Sequence, residues 1–491
     1  MIEYANWERQ PAGMEALMGL NRAWSAYPAT YRAREMRTIA SWIMTNTSGS
    51  VVGLPGIGKS NLLGYLCHRS DVLPAYLPRS PKPVLLIPVD LNNLPSTDLA
   101  TFYRVILRAF YEFRQQLESG LQQSIGDLYL EVHNSRDPFL SQSALRELLQ
   151  EMQSRGVRVV LVLDRFDTFC QDATAYMTDT LRGLRDSFKD TLAYIVAMTQ
   201  EVVYLPEPGI LGELLELLDM NVCWVGCLDD DDSRHLIATV TDAAPAPPTE
   251  AVIGQLQRLS GGYPALLKAA CQWWLTHSEQ PEDEWEDALL NEPSVRYRVE
   301  RIWAALSQEE QRVLARVQLQ TNHRPAAVAD HKTNVQLAEQ ELQTLNRLAM
   351  KGIGRWVEQA SADRRWRVSG RLLAAYITMV GGQSRGKLWY DDEQRIFYQG
   401  QDRLEALSPL EGSLLKFLLT QPRVRHTYTE LIEAAWPDEV YTEGVSTEAL
   451  YQLVRGLRRK VEVRPSRPQY IVNWRGRPEG GYQCFPEGRP R

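Results

Sequence analysis

The sequence predicts an α/β core with a buried parallel sheet, a helical segment behind it, and two units in which helices are followed by a hairpin. Three observations lead there. Between residues 50 and 225, short β-branched runs alternate with helical segments, and strand-length apolar runs separated by helices mark parallel strands covered on both faces. A glycine-rich turn, Gly53-Leu54-Pro55-Gly56-Ile57-Gly58-Lys59-Ser60, follows the first of those runs and opens a helix. Residues 387–485 read as strands, three helices and a hairpin, and the basic residues gather at their end.

Bulk properties set the frame. A chain of 491 residues exceeds what one core holds, so several domains are expected. Six cysteines are present, Cys67, Cys170, Cys223, Cys227, Cys271 and Cys484, and no histidine stands near Cys223 and Cys227 at zinc-site spacing. They read as reduced thiols. The first ten residues, MIEYANWERQ, lack a basic segment followed by an apolar stretch, so no signal peptide is expected. The longest apolar runs have strand length, which excludes a membrane partner of the spanning kind. Together these predict a cytoplasmic protein. The net charge of −7 argues against nucleic-acid binding by the whole surface and leaves room for a local basic patch.

In chain order, residues 1–28 read as a leader helix and linker, and residues 29–228 as the α/β core. Its strands are Ser50-Val51-Val52, Val84-Leu85-Leu86-Ile87, Val159-Val160-Leu161-Val162-Leu163 and Ala193-Tyr194-Ile195-Val196. Residues 229–298 read as a helical lid broken by the loop Ala243-Ala244-Pro245-Ala246-Pro247-Pro248. Residues 299–382 start with helices and turn at Lys351-Gly352-Ile353-Gly354 into two strands around Trp356 and Trp366. That is the pattern of a small winged helix, read here as part of the lid rather than as a reader of DNA. No internal repeat is visible.

The glycine-rich turn fits Gly-x-x-x-x-Gly-Lys-Ser in full, with a strand before and the helical run from Asn61 after. Such a P-loop turns its backbone N–H groups inward around a phosphate, and the helix N-terminus adds positive potential. Gly53, Pro55, Gly56, Gly58, Lys59, Ser60 and Asn61 are therefore the cofactor-binding candidates, and ATP with Mg²⁺ the cofactors. Lys59 is expected on the β- and γ-phosphates and the Ser60 hydroxyl on Mg²⁺. Asp164, at the end of the Val159–Leu163 run, is the second metal candidate. Asp167 either orients the attacking water or caps a helix. Thr199 either senses the γ-phosphate or simply ends its strand.

The segment from Tyr31 to about Thr378 resembles a STAND-class ATPase, a relative of the origin-recognition-type AAA+ proteins. The resemblance rests on the P-loop, on Tyr31-Arg32-Ala33-Arg34-Glu35, on Asp164-Arg165-Phe166-Asp167 and on Ser260-Gly261-Gly262-Tyr263-Pro264-Ala265-Leu266-Leu267. It implies Arg34 near the adenine and Pro264 packed on the base. The chain departs from the family pattern in four places. Ala33 stands for a glycine, Arg165 holds a position often occupied by a glutamate base, Glu201 replaces an arginine, and Arg367-Val368-Ser369-Gly370-Arg371 carries no histidine. The departures at 165 and 201 imply slow hydrolysis, which suits a switch read out by its bound nucleotide.

At the other end, Leu407-Ser408-Pro409-Leu410-Glu411 places a serine cap before a proline at the first helical position. Helices are expected over 411–419, 428–436 and 446–461. On the third, Leu450, Val454, Leu457 and Val461 form an apolar stripe, with Glu448, Gln452, Arg455, Gly456 and Arg459 on the opposite face. From Arg455 to Arg491 there are ten lysines and arginines against three acids, a local footprint for phosphates. Residues 387–485 closely resemble the OmpR/PhoB-type DNA-binding domain of response regulators, through Leu407–Glu411, Ala434-Ala435-Trp436-Pro437, Ser446–Glu462 and Arg467-Pro468-Gln469-Tyr470-Ile471-Val472. The resemblance implies double-stranded DNA as partner, with the third helix in the major groove and the hairpin, or wing, on the minor groove. Gln452 and Arg455 are the base-reading candidates. Arg458, Arg459 and Lys460 are assigned to phosphates, and Arg475 and Arg477 to the wing.

The fold class expected is thus an α/β P-loop NTPase core with helical lid and winged-helix unit, followed by a C-terminal α+β winged-helix domain. The function expected is a nucleotide-switched DNA-binding regulator of transcription that forms a homo-oligomer in its ATP state, with a partner protein supplying the signal. Two rivals stand beside it: a conflict or antiphage ATPase recruiting a separate effector, and a helper ATPase that loads on DNA.

Overall fold

The computed structural model has five strands, the longer ones rich in valine, isoleucine and leucine without polar alternation, because helices cover both faces. The strands are β1 (Gly49–Val52), β2 (Val84–Asp90), β3 (Arg158–Asp164), β4 (Leu192–Met198) and β5 (Val222–Trp224). They form one sheet in the order β2-β3-β4-β1-β5, and every adjacent pair is parallel. Residues Arg158 to Leu163 of β3 and all of β4 are buried. Helices Leu99–Phe113, Pro138–Ser154 and Ala175–Ser187 pack their apolar faces on this sheet. The fifth strand was not foreseen. It has three residues, and Val-Cys-Trp carries no periodicity long enough to read.

Parallel pairing puts all five carboxyl ends on one edge, where ligands of open α/β sheets bind. At that edge β1 runs into the glycine-rich turn, β3 ends on Asp164, β4 is followed by Thr199, and β2 ends on Asp90, in register with Asp164.

The structure describes residues 24, 26–77, 82–322, 339–358, 364–381, 386–400, 402–404, 407–436, 444–462, 465, 468–476 and 479–488. Most of the expected leader, and Arg477 and Pro437, lie outside them. Beyond the sheet come helices Asp230–Val240, Glu250–Ser260, Pro264–His277, Trp285–Asn291 and Pro293–Ala304, then Gln308–Asn322 and Glu339–Met350. A hairpin of Gly354–Glu358 with Arg364–Val368 sets Trp356 opposite Trp366. Among the described residues, those up to Glu310 and those within 336–373 form one compact unit, and the rest form a second. The division falls inside Gln308–Asn322 and Arg371–Gly381.

Beyond its shares of those two helices, the second unit has three antiparallel strands, Leu388–Asp391, Ile396–Gln399 and Asp402–Arg403. Helices Pro409–Thr420, Tyr428–Ala435 and Thr447–Val461 follow, and strands Ile471–Trp474 and Gly481–Cys484 form the hairpin, joined at its edge by Arg425–Thr427. Two helices begin with reciprocal caps. Ser408 exchanges side-chain and backbone bonds with Glu411, and Thr427 does so with Glu430. The core is made of Leu414, Leu415, Leu418, Leu431, Leu450, Val454, Leu457, Val461, Ile471 and Tyr482.

All six cysteines are free thiols. Burial pushes Cys170, Cys223, Cys227, Cys271 and Cys484 up to about 12, and Cys67 higher still. Among the described residues no helix is long and apolar enough to cross a membrane.

Candidate functional site

The phosphate loop leaves β1 through Gly53, whose N–H donates to the Met198 carbonyl of the neighbouring strand. Gly56 and Gly58 take φ of +81° and +98°, where a side chain is strained. A Cβ on Gly56 would also stand 2.7 Å from the Ala265 Cβ. Three consecutive carbonyls of the loop accept from outside it. The Tyr263 hydroxyl donates to Pro55 O at 2.7 Å, the Ala265 N–H to Gly56 O at 3.2 Å, and Arg32 Nη2 to Ile57 O at 2.7 Å. The Ile57 N–H closes a turn on Leu54 O, and with the Pro55 and Ile57 carbonyls turned outward the Gly56 and Gly58 amides are left to the concave side. Lys59 opens helix Lys59–His68, and its Nζ donates to Gly53 O at 2.6 Å. Burial pulls its pKa down, and the Asp167 and Asp164 carboxylates act the other way, so both acids lie within electrostatic reach of the amine.

Asp164 Oδ1 accepts from the Arg165 N–H, and Arg165 takes a left-handed turn at φ 58°. The Arg165 side chain leans toward Asp90, 3.9 Å away. Asp167 and Thr199, read separately in the sequence, are bonded to each other. Asp167 Oδ2 accepts from the Thr199 N–H at 2.8 Å and from its hydroxyl at 2.5 Å, and Oδ1 accepts from the Thr168 N–H. Glu201 is equally occupied: its carboxylate accepts from Trp224 Nε1 at 2.9 Å and so braces β5.

Around the loop, the resemblance assigned one residue that the fold turns away. Arg34 is exposed on helix Ala33–Thr45, because the buried stripe of that helix runs through Glu35, Met36, Ile39 and Ile43. The arginine that reaches the loop is Arg32, only 2 % exposed, whose other terminal nitrogen donates to Gly226 O at 2.9 Å. Its backbone N–H donates to the buried Asp232 carboxylate at 3.0 Å. Pro264 begins the lid helix Pro264–His277 beside the loop, with Cγ 3.8 Å from where a Gly58 Cβ would stand. Asn61 turns its amide to the preceding segment: Oδ1 accepts from Trp24 Nε1, and Nδ2 donates to the Tyr31 hydroxyl. Arg32 and Tyr263 are the residues the sequence reading missed. A left-handed arginine and a buried tyrosine leave no periodic trace, although Tyr263 lies inside the motif that drew attention to Pro264.

The basic helix of the second unit is ordered by its two stripes. Leu450, Val454, Leu457 and Val461 are buried. Glu448, Gln452, Arg455 and Arg459, each two residues earlier and so about 200° round the helix, are exposed. Ser446 caps the helix by accepting from the Ala449 N–H. Gln452 Nε2 donates to Glu448 Oε1 at 3.1 Å, which leaves its own oxygen free to accept. Two of the cations assigned to phosphates are engaged inside the domain instead. Arg458 is half-buried, donates to Ile471 O and Asn473 Oδ1, and lies over the Tyr482 ring. Burial pulls its pKa down. Lys460 Nζ donates to the Glu411 carboxylate at 2.5 Å. Arg475 is exposed after Trp474 at the open end of the hairpin, and Arg477 lies outside the described residues.

Residues 402–483 match the family model described as "Transcriptional regulatory protein, C terminal". A probable transcriptional regulatory protein of Picosynechococcus is 31 % identical over 87 residues, 18 % of this chain and 33 % of that protein. The chain thus spans about a third of the length of that relative. Among solved structures, a Walker-type ATPase of Pyrococcus abyssi is similar at TM-score 0.41 and 14 % identity, covering 70 % of this chain and 95 % of that one. The ORC1 protein of Aeropyrum pernix, solved in complex with DNA, is similar at TM-score 0.35 and 16 % identity, covering 70 % and 91 %. The C-terminal segment is a winged helix of the OmpR/PhoB type, joined in one chain to a P-loop α/β core.

Proposed function

We propose that the chain is an ATP-binding, nucleotide-switched DNA-binding protein, a regulator of transcription that assembles on DNA in its ATP state. One observation carries this reading. A single chain holds a glycine-rich phosphate loop with its lysine and two carboxylates beside it, and a winged helix whose exposed stripe is Gln452, Arg455 and Arg459.

The loop fits a nucleotide. Its Gly53 and Gly56 stand where a Cβ would come within 2.7 Å of Ile57 and Ala265, so the loop keeps its tight turn only with glycine, and Lys59 is a partly desolvated cation facing two acids. Lys59 would hold the phosphates, and Ser60 with Asp164 the Mg²⁺ ion, which neutralises phosphate charge when bound. Hydrolysis is slow in this reading. Asp167 already accepts three bonds from Thr199 and Thr168, which leaves its carboxylate little capacity to orient water. The held nucleotide is then the signal, and a partner protein sets when it is exchanged.

The winged helix would lie in the major groove. Arg455 would read a base edge, with Gln452 beside it, and Arg459 and Arg475 would meet phosphates. One such domain reads few base pairs and binds weakly. Copies joined through their ATPase cores make later contacts intramolecular and raise avidity. Affinity of the full chain for one duplex, measured by fluorescence anisotropy with ATP, ADP and no nucleotide alongside mass in solution, tests this. ATP should tighten binding and raise mass in wild type but not in Lys59→Ala. The same affinity and mass in every condition would refute the switch.

A further inference from the structure

We infer that Arg32 and Tyr263 are positioning residues for the phosphate site: they hold the loop carbonyls outward and so keep its amides open while tying the loop to the lid helix. The inference rests on the nucleotide-binding reading above and adds to it the residues that set the affinity.

A peptide that turns its N–H into a concave site must turn its C=O the other way, and a buried carbonyl needs a donor. Pro55, Gly56 and Ile57 each have one from outside the loop; the peptides of Pro55 and Ile57 carry the Gly56 and Gly58 N–H groups, whereas the N–H of the Gly56 peptide, that of Ile57, donates to Leu54 O. Two of the three, the Tyr263 hydroxyl and the Ala265 N–H, stand at the start of the lid helix Pro264–His277. The third is Arg32, in the turn before the first described long helix. Burial holds the Tyr263 hydroxyl protonated, so it remains a donor.

Arg32 is built for two partners at once. Its guanidinium gives one nitrogen to Ile57 O and another to Gly226 O, just past β5. A lysine has one nitrogen and no fork. The backbone at Arg32 is left-handed, φ 50° and ψ 42°, a conformation costly for a residue with a Cβ. The Asp232 carboxylate accepts its N–H and Glu35 lies 3.6 Å from the guanidinium, so the strained turn is fixed from both ends. Nη2 also lies 3.5 Å from where a Gly58 Cβ would stand, which places this cation directly behind the loop. A loop held open in advance loses less freedom when a phosphate arrives.

The test is calorimetric titration of the full chain with Mg-ATP, Mg-ADP and adenosine, for wild type, Tyr263→Phe and Arg32→Lys, with melting curves in parallel. Tyr263→Phe keeps the ring and removes one donor. It should weaken ATP and ADP alike by about five- to tenfold and leave adenosine unchanged. Arg32→Lys should weaken both by tenfold or more without rescue by its retained charge. Amide exchange adds a second readout: ATP should protect residues 263–267 in wild type and much less in Tyr263→Phe. Wild-type nucleotide affinity in a folded Tyr263→Phe protein would overturn the inference and leave nucleotide binding standing. Equal weakening of adenosine would also overturn it, since the effect would not be on the phosphate site. Failure of wild type to bind ATP would remove both.

Discussion

The phosphate loop and the basic helix each offer positive potential to a phosphate, by different means. In the loop the proposed donors are backbone amides, and Tyr263 and Arg32 bind the Pro55 and Ile57 carbonyls behind them. In helix Thr447–Val461 the donors are side chains, and each is free or engaged according to what stands beside it. Arg455 and Arg459 point outward, while Arg458 and Lys460 brace the domain. The loop should therefore fail as a unit when one part is altered. The helix should fail by degrees, and only at some positions.

The largest effect should come from the loop. Lys59→Ala removes the amine that faces both acids and should cost about 2–5 kcal/mol of nucleotide affinity, thirtyfold or more, with the melting temperature little changed. Isothermal calorimetry checks this; equal affinity would show that the loop does not depend on its lysine and would break the comparison.

A second test concerns what supports the loop. Burial raises the Asp232 carboxyl to about 6, although the Arg32 N–H opposes the shift and Asp229 and Glu35 add to it. A carboxyl raised in the folded state contributes stability below its unfolded value, near pH 4, and loses it as pH rises through about 6. Asp232→Asn mimics the protonated form. It should raise stability by up to about 3 kcal/mol at pH 7 and by nearly nothing at pH 4. Denaturant melts at the two pH values give the difference, and a gain independent of pH would contradict the assignment.

On the helix, Arg455→Ala should cost roughly 1–3 kcal/mol of DNA affinity and relax sequence preference. Arg458→Ala should instead lower the melting temperature of the C-terminal domain, because it breaks bonds to Ile471 and Asn473. Anisotropy and melting measured on both variants separate the two roles. If Arg458→Ala reduced affinity without loss of stability, its engagement in the domain would be irrelevant to function. The smallest effect is on salt dependence. Arg459→Ala should reduce the salt slope by about 1, whereas Lys460→Ala, already paired with Glu411, should leave it nearly unchanged.

What could be read in the sequence follows from range. The P-loop, Asp164 and the four longer strands are local patterns, and a parallel sheet converts their strand-end positions into one edge. The stripes of the basic helix are likewise local, since helical periodicity separates Leu450 from Glu448 without knowledge of the fold. Partnerships across the chain were not legible. Arg32 meets Ile57 and Gly226 over long separations, Asp167 meets Thr199, and Glu201 meets Trp224. Counting arginines gave the charge of the C-terminal segment but could not say that Arg458 spends its donors on Ile471. Arg34 was assigned to the adenine by its place in a motif; it is exposed, and the arginine whose guanidinium reaches the loop stands two residues earlier, at Arg32.

The cysteines, five of them buried and Cys227 half-buried with its thiol donating to Gly352 O, have a practical consequence. With five thiols held at about 12 and Cys67 higher, almost no thiolate exists at neutral pH. Maleimide and iodoacetamide reagents should pass the native chain by. A cysteine placed at exposed Met220 and another at exposed Tyr451 would then be the reactive pair on a silent background. A donor and an acceptor dye on those two sites would report, in single molecules, whether adding ATP changes the distance between the α/β core and the winged helix.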